Sequence, residues 1–331
     1  MLVFAEGNGF GHVARLKPIC RNFGLPIMTF GPGAKYCREQ GLDLIELPSP
    51  YVIHTTKDRI KLATNAGELL HFLKPNVLST IRSYFSQVDI VIVDGSLLGL
   101  AVAMLLGKKV LFITNDTSSL VGLKGTVEKK LARSLLKSLL SYPSKILVPD
   151  FPPPLTISLL NLDFSLPLSF AGPSFENSAQ KKHSKLYVVA GHIEQQVRKY
   201  LGKQAVYGSQ VGELEPFIAN CKLVICHGGH TTIMKALSFG KPVLCIVDSH
   251  YTERYNNALV AERQGVGVLL DKRLLSSKSL MCSIECALSL PNRKLSLYKK
   301  FAKESSFAVE FQKELESLGH FKNSPCLRED F

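Results

Sequence analysis

The chain alternates short apolar runs with longer stretches whose apolar positions recur every three or four residues. The runs fall at residues 2–5, 25–30, 44–47, 90–93, 110–114 and 145–148, and many of their side chains are β-branched. Runs of this kind suit the strands of a buried parallel sheet. Stretches 67–85 and 97–106 between them have helical spacing. Strand–helix alternation predicts a doubly wound α/β layer. The pattern breaks at "PDFPPPL" (149–155), where successive prolines remove backbone donors and fix φ. It breaks again at "FAGPS" (170–174), and a polar run continues to residue 185. Alternation then restarts with apolar runs at 186–190, 222–226, 242–247 and 266–270. The pattern predicts two α/β domains, 1–172 and 173–331, facing across a cleft, with the last helix packing back on the first domain.

One helical stretch carries charge in an unusual way. In "VEKKLARSLLKSLL" (residues 127–140), Val127, Leu131, Leu135 and Leu139 recur at spacing four, and Lys129, Lys130, Arg133 and Lys137 occupy the remaining surface. The same pattern fits a helix packed on a core with a basic solvated face and a helix lying on anionic lipid. Both readings stay open. The whole chain is basic, with 40 Lys plus Arg against 27 Asp plus Glu and a net charge of +13. Such an excess favours an anionic partner, among them a phosphorylated substrate or a membrane surface. Nucleic acid is not expected: there is no aromatic RNA-binding motif, no zinc-finger spacing, no polybasic tail and no Trp.

Composition adds little more. Apolar residues make up 46% and charged residues 20% of the 331, which is globular. The eight cysteines include no CxxC pair, so they read as free thiols in a reducing compartment rather than as metal ligands. No apolar run is long enough to cross a membrane, and "MLVFA" leads directly into a glycine loop without the make-up of a signal peptide. A cytoplasmic location is expected, with possible peripheral contact at the inner face of the membrane through residues 127–140.

Two loops carry the chemistry. "GNGFGHVAR" (7–15) follows the first strand, and its Gly9-x-Gly11-x-x-Ala14 also fits a dinucleotide fingerprint. That fingerprint requires an acidic residue at the end of the second strand to hold a ribose, and that strand instead ends "TFGPGAK". The second loop opens the stretch "LVICHGGHTTIMKALSFGKPVLCIVD". A strand ends at His227, Gly228 and Gly229 let a ligand approach the backbone, and Thr231 and Thr232 open a helix that Gly240 and Pro242 end. Free N–H groups and the helix dipole converge at such a start, a site suited to a diphosphate.

The order HGG-x-T-T, helix, "GKP", strand, acidic residue and "NA" resembles the donor-sugar motif of GT-B glycosyltransferases. The resemblance is to family 28 and to the UDP-glycosyltransferases of family 1, and it is strongest over residues 212–270 and 7–15. It implies two Rossmann-like doubly wound domains. It also implies an inverting, metal-independent transfer of a sugar from a nucleotide-diphosphate donor, most simply a UDP-sugar, to a hydroxyl acceptor, a lipid-linked one among the candidates. The nucleotide sugar is a substrate, and no cofactor is called for; no Asp-x-Asp metal signature occurs in the chain. Under this resemblance Gly11, His192, His227, Gly228, Gly229, His230, Thr231, Thr232, Lys235, Glu253, Arg254 and Asn257 border the donor, and the loop at 211–213 borders its base. Asn8 and Asn115 are acceptor contacts. His12 takes the acceptor proton or holds its loop, with Asp94 or Asp116 as its carboxylate partner. Asp94 alternatively caps a helix.

Two positions depart from the family. The ribose-binding Glu eight residues after the HGG histidine is Lys235, which cannot accept hydroxyl hydrogen bonds. The loop after the second domain's first strand reads "AGHIE", with His192 facing phosphate or capping a helix, where Gly-Ser-x-Gly is common. A nucleotide-sugar epimerase of the same architecture and a binding subunit without turnover are the alternatives.

Overall fold

The computed structural model describes residues 1–49, 55–56, 59–60, 75–117, 127–174, 185–211 and 214–319. The first unit runs β1 (Leu2–Ala5), α1 (Gly11–Phe23), β2 (Ile27–Phe30), α2 (Gly31–Glu39) and β3 (Leu44–Leu47). A small hairpin follows, β4 (Thr55–Thr56) and β5 (Arg59–Ile60), then α3 (Pro75–Ser86), β6 (Ile90–Asp94), α4 (Leu97–Leu105), β7 (Lys109–Ile113), α5 (Val127–Leu140), β8 (Ile146–Val148) and β9 (Leu168–Phe170). The second unit runs β10 (Tyr187–Ala190), α6 (Glu194–Leu201), β11 (Ala205–Tyr207), α7 (Glu215–Ile218), β12 (Leu223–Cys226), α8 (His230–Ser238), β13 (Val243–Val247), α9 (Thr252–Arg263) and β14 (Gly267–Asp271). Helices α10 (Ser277–Leu288), α11 (Asn292–Glu304) and α12 (Phe307–Ser317) close the described chain.

Both main sheets are parallel throughout. Their orders are β3-β2-β1-β6-β7-β8-β9 and β11-β10-β12-β13-β14. Alternate residues of each strand enter opposite faces, as the pleat demands. In β1, Val3 and Ala5 join one core and Leu2 and Phe4 the other. In β10, Tyr187 and Val189 face one side and Val188 the other. Helices cover both faces, which accounts for the near-continuous apolar strands. The strand order reverses between β1 and β6 in the first sheet, and between β10 and β12 in the second. These switch points are where open α/β sheets bind ligands, beyond the carboxyl ends of the strands.

The two units interlock through exchanged segments on either side of the boundary expected at 172–173. Residues just after β8 leave the first sheet, and Phe151 and Ile157 enter the core of the second. Phe151 meets Tyr298 of α11 edge-on at 4.9 Å between centroids, and the Tyr298 hydroxyl donates to the Leu155 carbonyl at 2.9 Å. In the other direction, Phe307, Phe311 and Leu315 of α12 pack into the first unit beside Leu16 and Ile19. Phe311 also lies 5.8 Å from Phe23.

The apolar stripe expected on residues 127–140 is rotated. Leu135 is 64% exposed, while Leu140 is buried and Leu136 and Leu139 pack against the first unit's core. Spacings of three and four from Leu136 set the buried face, so Leu135 falls on one exposed flank of it and Lys137 on the other. The side chains of Val127, Leu131, Lys129, Lys130 and Arg133 lie outside the described residues, as do 67–74 of the expected helix and the tail from 320. Strands β9 and β11 escape the sequence pattern because each is three residues long at a sheet edge. No helix among the described residues is long and apolar enough to cross a membrane.

If α12 is an integral part of the first unit's core, Phe311→Ala should destabilise the protein by about 3–5 kcal/mol in urea denaturation. A change below about 1 kcal/mol would show that the helix only rests on the surface.

Candidate active site

The first half of the site is built on the switch point of the first sheet. Ala5 of β1 pairs with Asp94 of β6, so the loops after both strands emerge side by side. The loop after β1 carries His12 in the first turn of α1. Gly95 follows Asp94 with φ +69, and a Cβ there would collide with the His12 ring, so only glycine leaves room for the imidazole. His12 Nδ1 lies 2.7 Å from Asp94 Oδ1. Asp94 is the partner, and Asp116 is not. Nor is Asp94 a helix cap: Ser96 caps α4, its hydroxyl accepting from the Gly99 amide at 3.3 Å.

A carboxylate with no exposed surface requires compensation. Arg15, three residues along the same helix face as His12, provides it. Its Nε donates to Asp94 Oδ2 at 2.6 Å and its Nη2 donates to Oδ1. Burial alone raises the Asp94 carboxyl, but the adjacent guanidinium and the His12 contact outweigh it and hold the group below the usual carboxylate range. The ionised Asp94 accepts the proton of His12 Nδ1. A proton on Nε2 alone would set the Nδ1 lone pair against a carboxylate oxygen at 2.7 Å, offset only by Arg15 Nη2, which lies further off at 3.0 Å and already donates to that oxygen. His12 Nε2 therefore carries the lone pair, and the ring remains part-exposed.

The second half sits on the other switch point, where Ala190 of β10 pairs with Cys226 of β12. His227 follows β12, and its ring lies over Gly191, whose φ is +91 and where a Cβ would strike the imidazole. Its Nδ1 is 3.4 Å from the Ala190 carbonyl, and the ring of exposed His192 is 5.5 Å away. Burial, helped by the charge of Arg254 and by His192 and opposed by the Ala190 carbonyl, pushes the His227 pKa down to about 4. Gly228, with φ +80, lies against the backbone of Arg254 where any Cβ would be crowded. Gly229 caps α8 without a side chain, leaving first-turn amides free of any side-chain cap beside half-buried Thr231 and Thr232. A Cβ on Gly11 would lie 3.3 Å from Thr231 Oγ1, so the two loops meet.

Four expected contacts are engaged with partners inside the protein. His230 is 4% exposed and its Nε2 lies 2.9 Å from Asp150 Oδ2, so it anchors the start of α8 to the segment leaving β8. Asn257 is fully buried; its Nδ2 donates to the Gly228 carbonyl at 3.2 Å and its Oδ1 accepts from Asn161 at 2.8 Å, which fixes the glycine turn. Asn115 is buried with both amide atoms engaged. It accepts from Arg15 Nη1 at 2.8 Å and donates to Glu253 Oε1 at 2.9 Å, so it bridges the units. Lys235 pairs with Glu215 at 2.5 Å. Burial raises the Glu215 carboxyl, but the Lys235 charge prevails and holds it low.

Glu253, Arg254 and Asn8 keep accessible positions. Glu253 is in the first turn of α9, and Arg254 lies over the Tyr251 ring at 4.9 Å. Asn8 is exposed on the glycine loop and donates to Glu6 Oε1 at 2.5 Å. Of the loop at 211–213, residues 212–213 lie outside the described residues. Sequence reading missed Arg15, Asp150, Asn161 and Glu215. Only Arg15 had a local signal, its spacing of three from His12.

With this geometry in hand, comparison with known proteins places the chain. Residues 174–315 match the model of the glycosyltransferase family 28 C-terminal domain. An uncharacterized glycosyltransferase of Methanosarcina mazei is 29% identical, the match covering 82% of this chain and 85% of that protein. One of Methanosarcina acetivorans is 27% identical with the same coverage. Among solved structures, the spinosyn forosaminyltransferase SpnP superposes with a TM-score of 0.65 at 17% identity, over 96% of this chain and 99% of its own. The calicheamicin glycosyltransferase CalG4 gives 0.65 at 14% identity, over 97% and 98%. The glycosyltransferase SsfS6 of Streptomyces sp. SF2575, complexed with thymidine diphosphate, gives 0.61 at 15%, over 96% and 100%. The fold is therefore that of the GT-B glycosyltransferases. In sequence the chain resembles family 28, and its relatives support glycosyltransferase function.

The depressed His227 predicts a pH dependence. Between pH 6.5 and about 4 the unfolded chain takes up a proton at this residue while the folded protein does not, so its contribution makes stability fall as pH falls. The slope is at most about 1.4 kcal/mol per pH unit. His227→Gln should flatten the pH dependence of urea stability across this window. An unchanged slope would show that His227 protonates freely in the fold.

Proposed function

We propose that the protein is an inverting, metal-independent glycosyltransferase using a nucleotide-diphosphate sugar, with a UDP-sugar as the first candidate. The observation that carries this reading is the approach of the two switch points. The His12–Asp94 pair lies on one lip, and on the other the start of α8 meets Gly11 through Thr231. The acceptor hydroxyl gives its proton to His12 Nε2 as its oxygen attacks the anomeric carbon. A new C–O bond forms on the face opposite the breaking bond to the diphosphate, hence inversion. Asp94 stabilises the imidazolium that results. The leaving diphosphate is received by the first-turn amides of α8, the hydroxyls of Thr231 and Thr232, and Arg254. His227, neutral and with Nδ1 toward the Ala190 carbonyl, gains a proton as the anion arrives and then donates to it.

Glu253 binds sugar hydroxyls. Where the family has a ribose-binding Glu on the helix, this chain has Lys235, and Glu215, held against it, supplies the carboxylate from α7 instead. An acceptor presented at a membrane surface is supported by the net charge of +13 and by the exposure of both Leu135 and Lys137 on α5.

A thermal-shift panel of UDP, GDP, dTDP, ADP and NAD tests the reading. UDP should raise Tm most and NAD should not; a response to NAD with none to any nucleoside diphosphate would overturn the assignment. His12→Ala should keep the nucleotide shift and lower turnover by about 10²–10⁴-fold. Loss of both together would make His12 a structural residue.

A further inference from the structure

The base on one lip and the sugar-binding carboxylate on the other are joined by an unbroken chain of hydrogen bonds, buried at its centre and part-buried at its two ends. Arg15 is 3% exposed and Asn115 is 5% exposed. The guanidinium points its donors in two directions. Nε and Nη2 grip both oxygens of Asp94, and Nη1 donates to Asn115 Oδ1 at 2.8 Å. With its oxygen committed to a cation, the Asn115 amide has one orientation, so its nitrogen faces away from Arg15. There it donates to Glu253 Oε1 at 2.9 Å, 138 residues further along the chain. Each donor in this line meets an acceptor, and reversing the amide would set two donors together and two acceptors together.

The main chain of Glu253 is held as well. Asn161 Nδ2 donates to its carbonyl at 3.2 Å, and the Asn161 oxygens in turn accept from Asn256 at 2.8 Å and from the Thr117 amide at 2.7 Å. Backbone and one carboxylate oxygen of Glu253 are thus both fixed from the first unit. Oε2 has no protein partner among the described residues.

We infer that Arg15 and Asn115 are positioning residues: one guanidinium fixes Asp94 behind His12 and, through Asn115, aims the free oxygen of Glu253 at the donor sugar. This inference rests on the transferase reading, and it adds that the two halves of the reaction are set in register by a single buried cation. Removing Asn115 leaves the nucleotide site intact, because its side chain bonds to Arg15 and Glu253 and to no group of α8 or the His227 turn. It releases only the carboxylate that reads the sugar.

The experiment is a double-mutant cycle on Asn115→Ala and Glu253→Ala, with UDP affinity measured by calorimetry. KM and kcat are measured with the sugar nucleotide that the wild type turns over from a panel of UDP- and dTDP-sugars. Asn115→Ala should keep the UDP Kd within about twofold while weakening use of the sugar nucleotide by about 10- to 100-fold, as for a lost hydrogen bond to a charged group. In the Glu253→Ala background the further loss should vanish. Arg15→Lys keeps a charge near Asp94 but not the fork; it should lower kcat and raise KM while UDP affinity stays at the wild-type value. Equal weakening of UDP and of the sugar nucleotide by Asn115→Ala, or losses that add in the double mutant, would overturn the inference. Failure of the wild type to bind any nucleoside diphosphate would instead overturn the transferase reading, and this inference with it.

Discussion

The structure depends on the burial of one carboxylate. Asp94 ends a central strand with no exposed surface, and an ion in that position must be matched by charge and hydrogen bonds or be neutralised. Arg15 supplies two donors and His12 a third. The compensation is also the function. The same contacts that allow Asp94 to stay ionised fix the tautomer of His12, and the same guanidinium reaches on to Asn115. Stability and chemistry thus share their atoms, and the parallel register of Ala5 with Asp94 sets where they meet.

The second unit repeats the device in a different chemical key. In each sheet a histidine from one loop at the switch point is seated on a positive-φ glycine of the neighbouring loop, His12 on Gly95 and His227 on Gly191. One ring faces an anion inside the protein, the other a carbonyl and a cluster that includes Arg254 and His192. An imidazole beside a carboxylate is ready to take a proton. A buried imidazole beside Arg254 stays neutral until an anion arrives. The halves are held in relation by crossed segments, Phe151 and Ile157 in the second core and α12 in the first. Asp150 anchors this crossing. Its carboxylate accepts from the Phe151, Ile157 and Ser158 amides and from the Ser158 hydroxyl, and it meets His230 at the start of α8.

Much of the fold was legible because parallel strands buried on both faces leave apolar runs that need no partner to be recognised; β1 and β3 fall at 2–5 and 44–47 as read. The glycine loops were legible for the same local reason, since a backbone that must approach a ligand or accept an imidazole excludes Cβ. What could not be read was which polar residue met which. His230, Asn257 and Asn115 stood in or beside motifs, yet each answers a buried group 80, 96 or 100 residues away. Pairings of that span are fixed by topology, and no local spacing records them. The choice between Asp94 and Asp116 was of this kind, decided by strand register alone. Leu135 failed differently: a stripe at spacing four drifts around a helix of 3.6 residues per turn, so the buried face moved to Leu136, Leu139 and Leu140.

The central claim is that Asp94 holds the proton of His12 on Nδ1 and leaves Nε2 open to the cleft. Nitrogen-15 NMR of the histidine-labelled protein at neutral pH reads this state directly. The account predicts a protonated Nδ1 and an unprotonated Nε2 for His12, with the pattern lost in Asp94→Asn. A proton on Nε2 with a bare Nδ1 in the wild-type protein would contradict it.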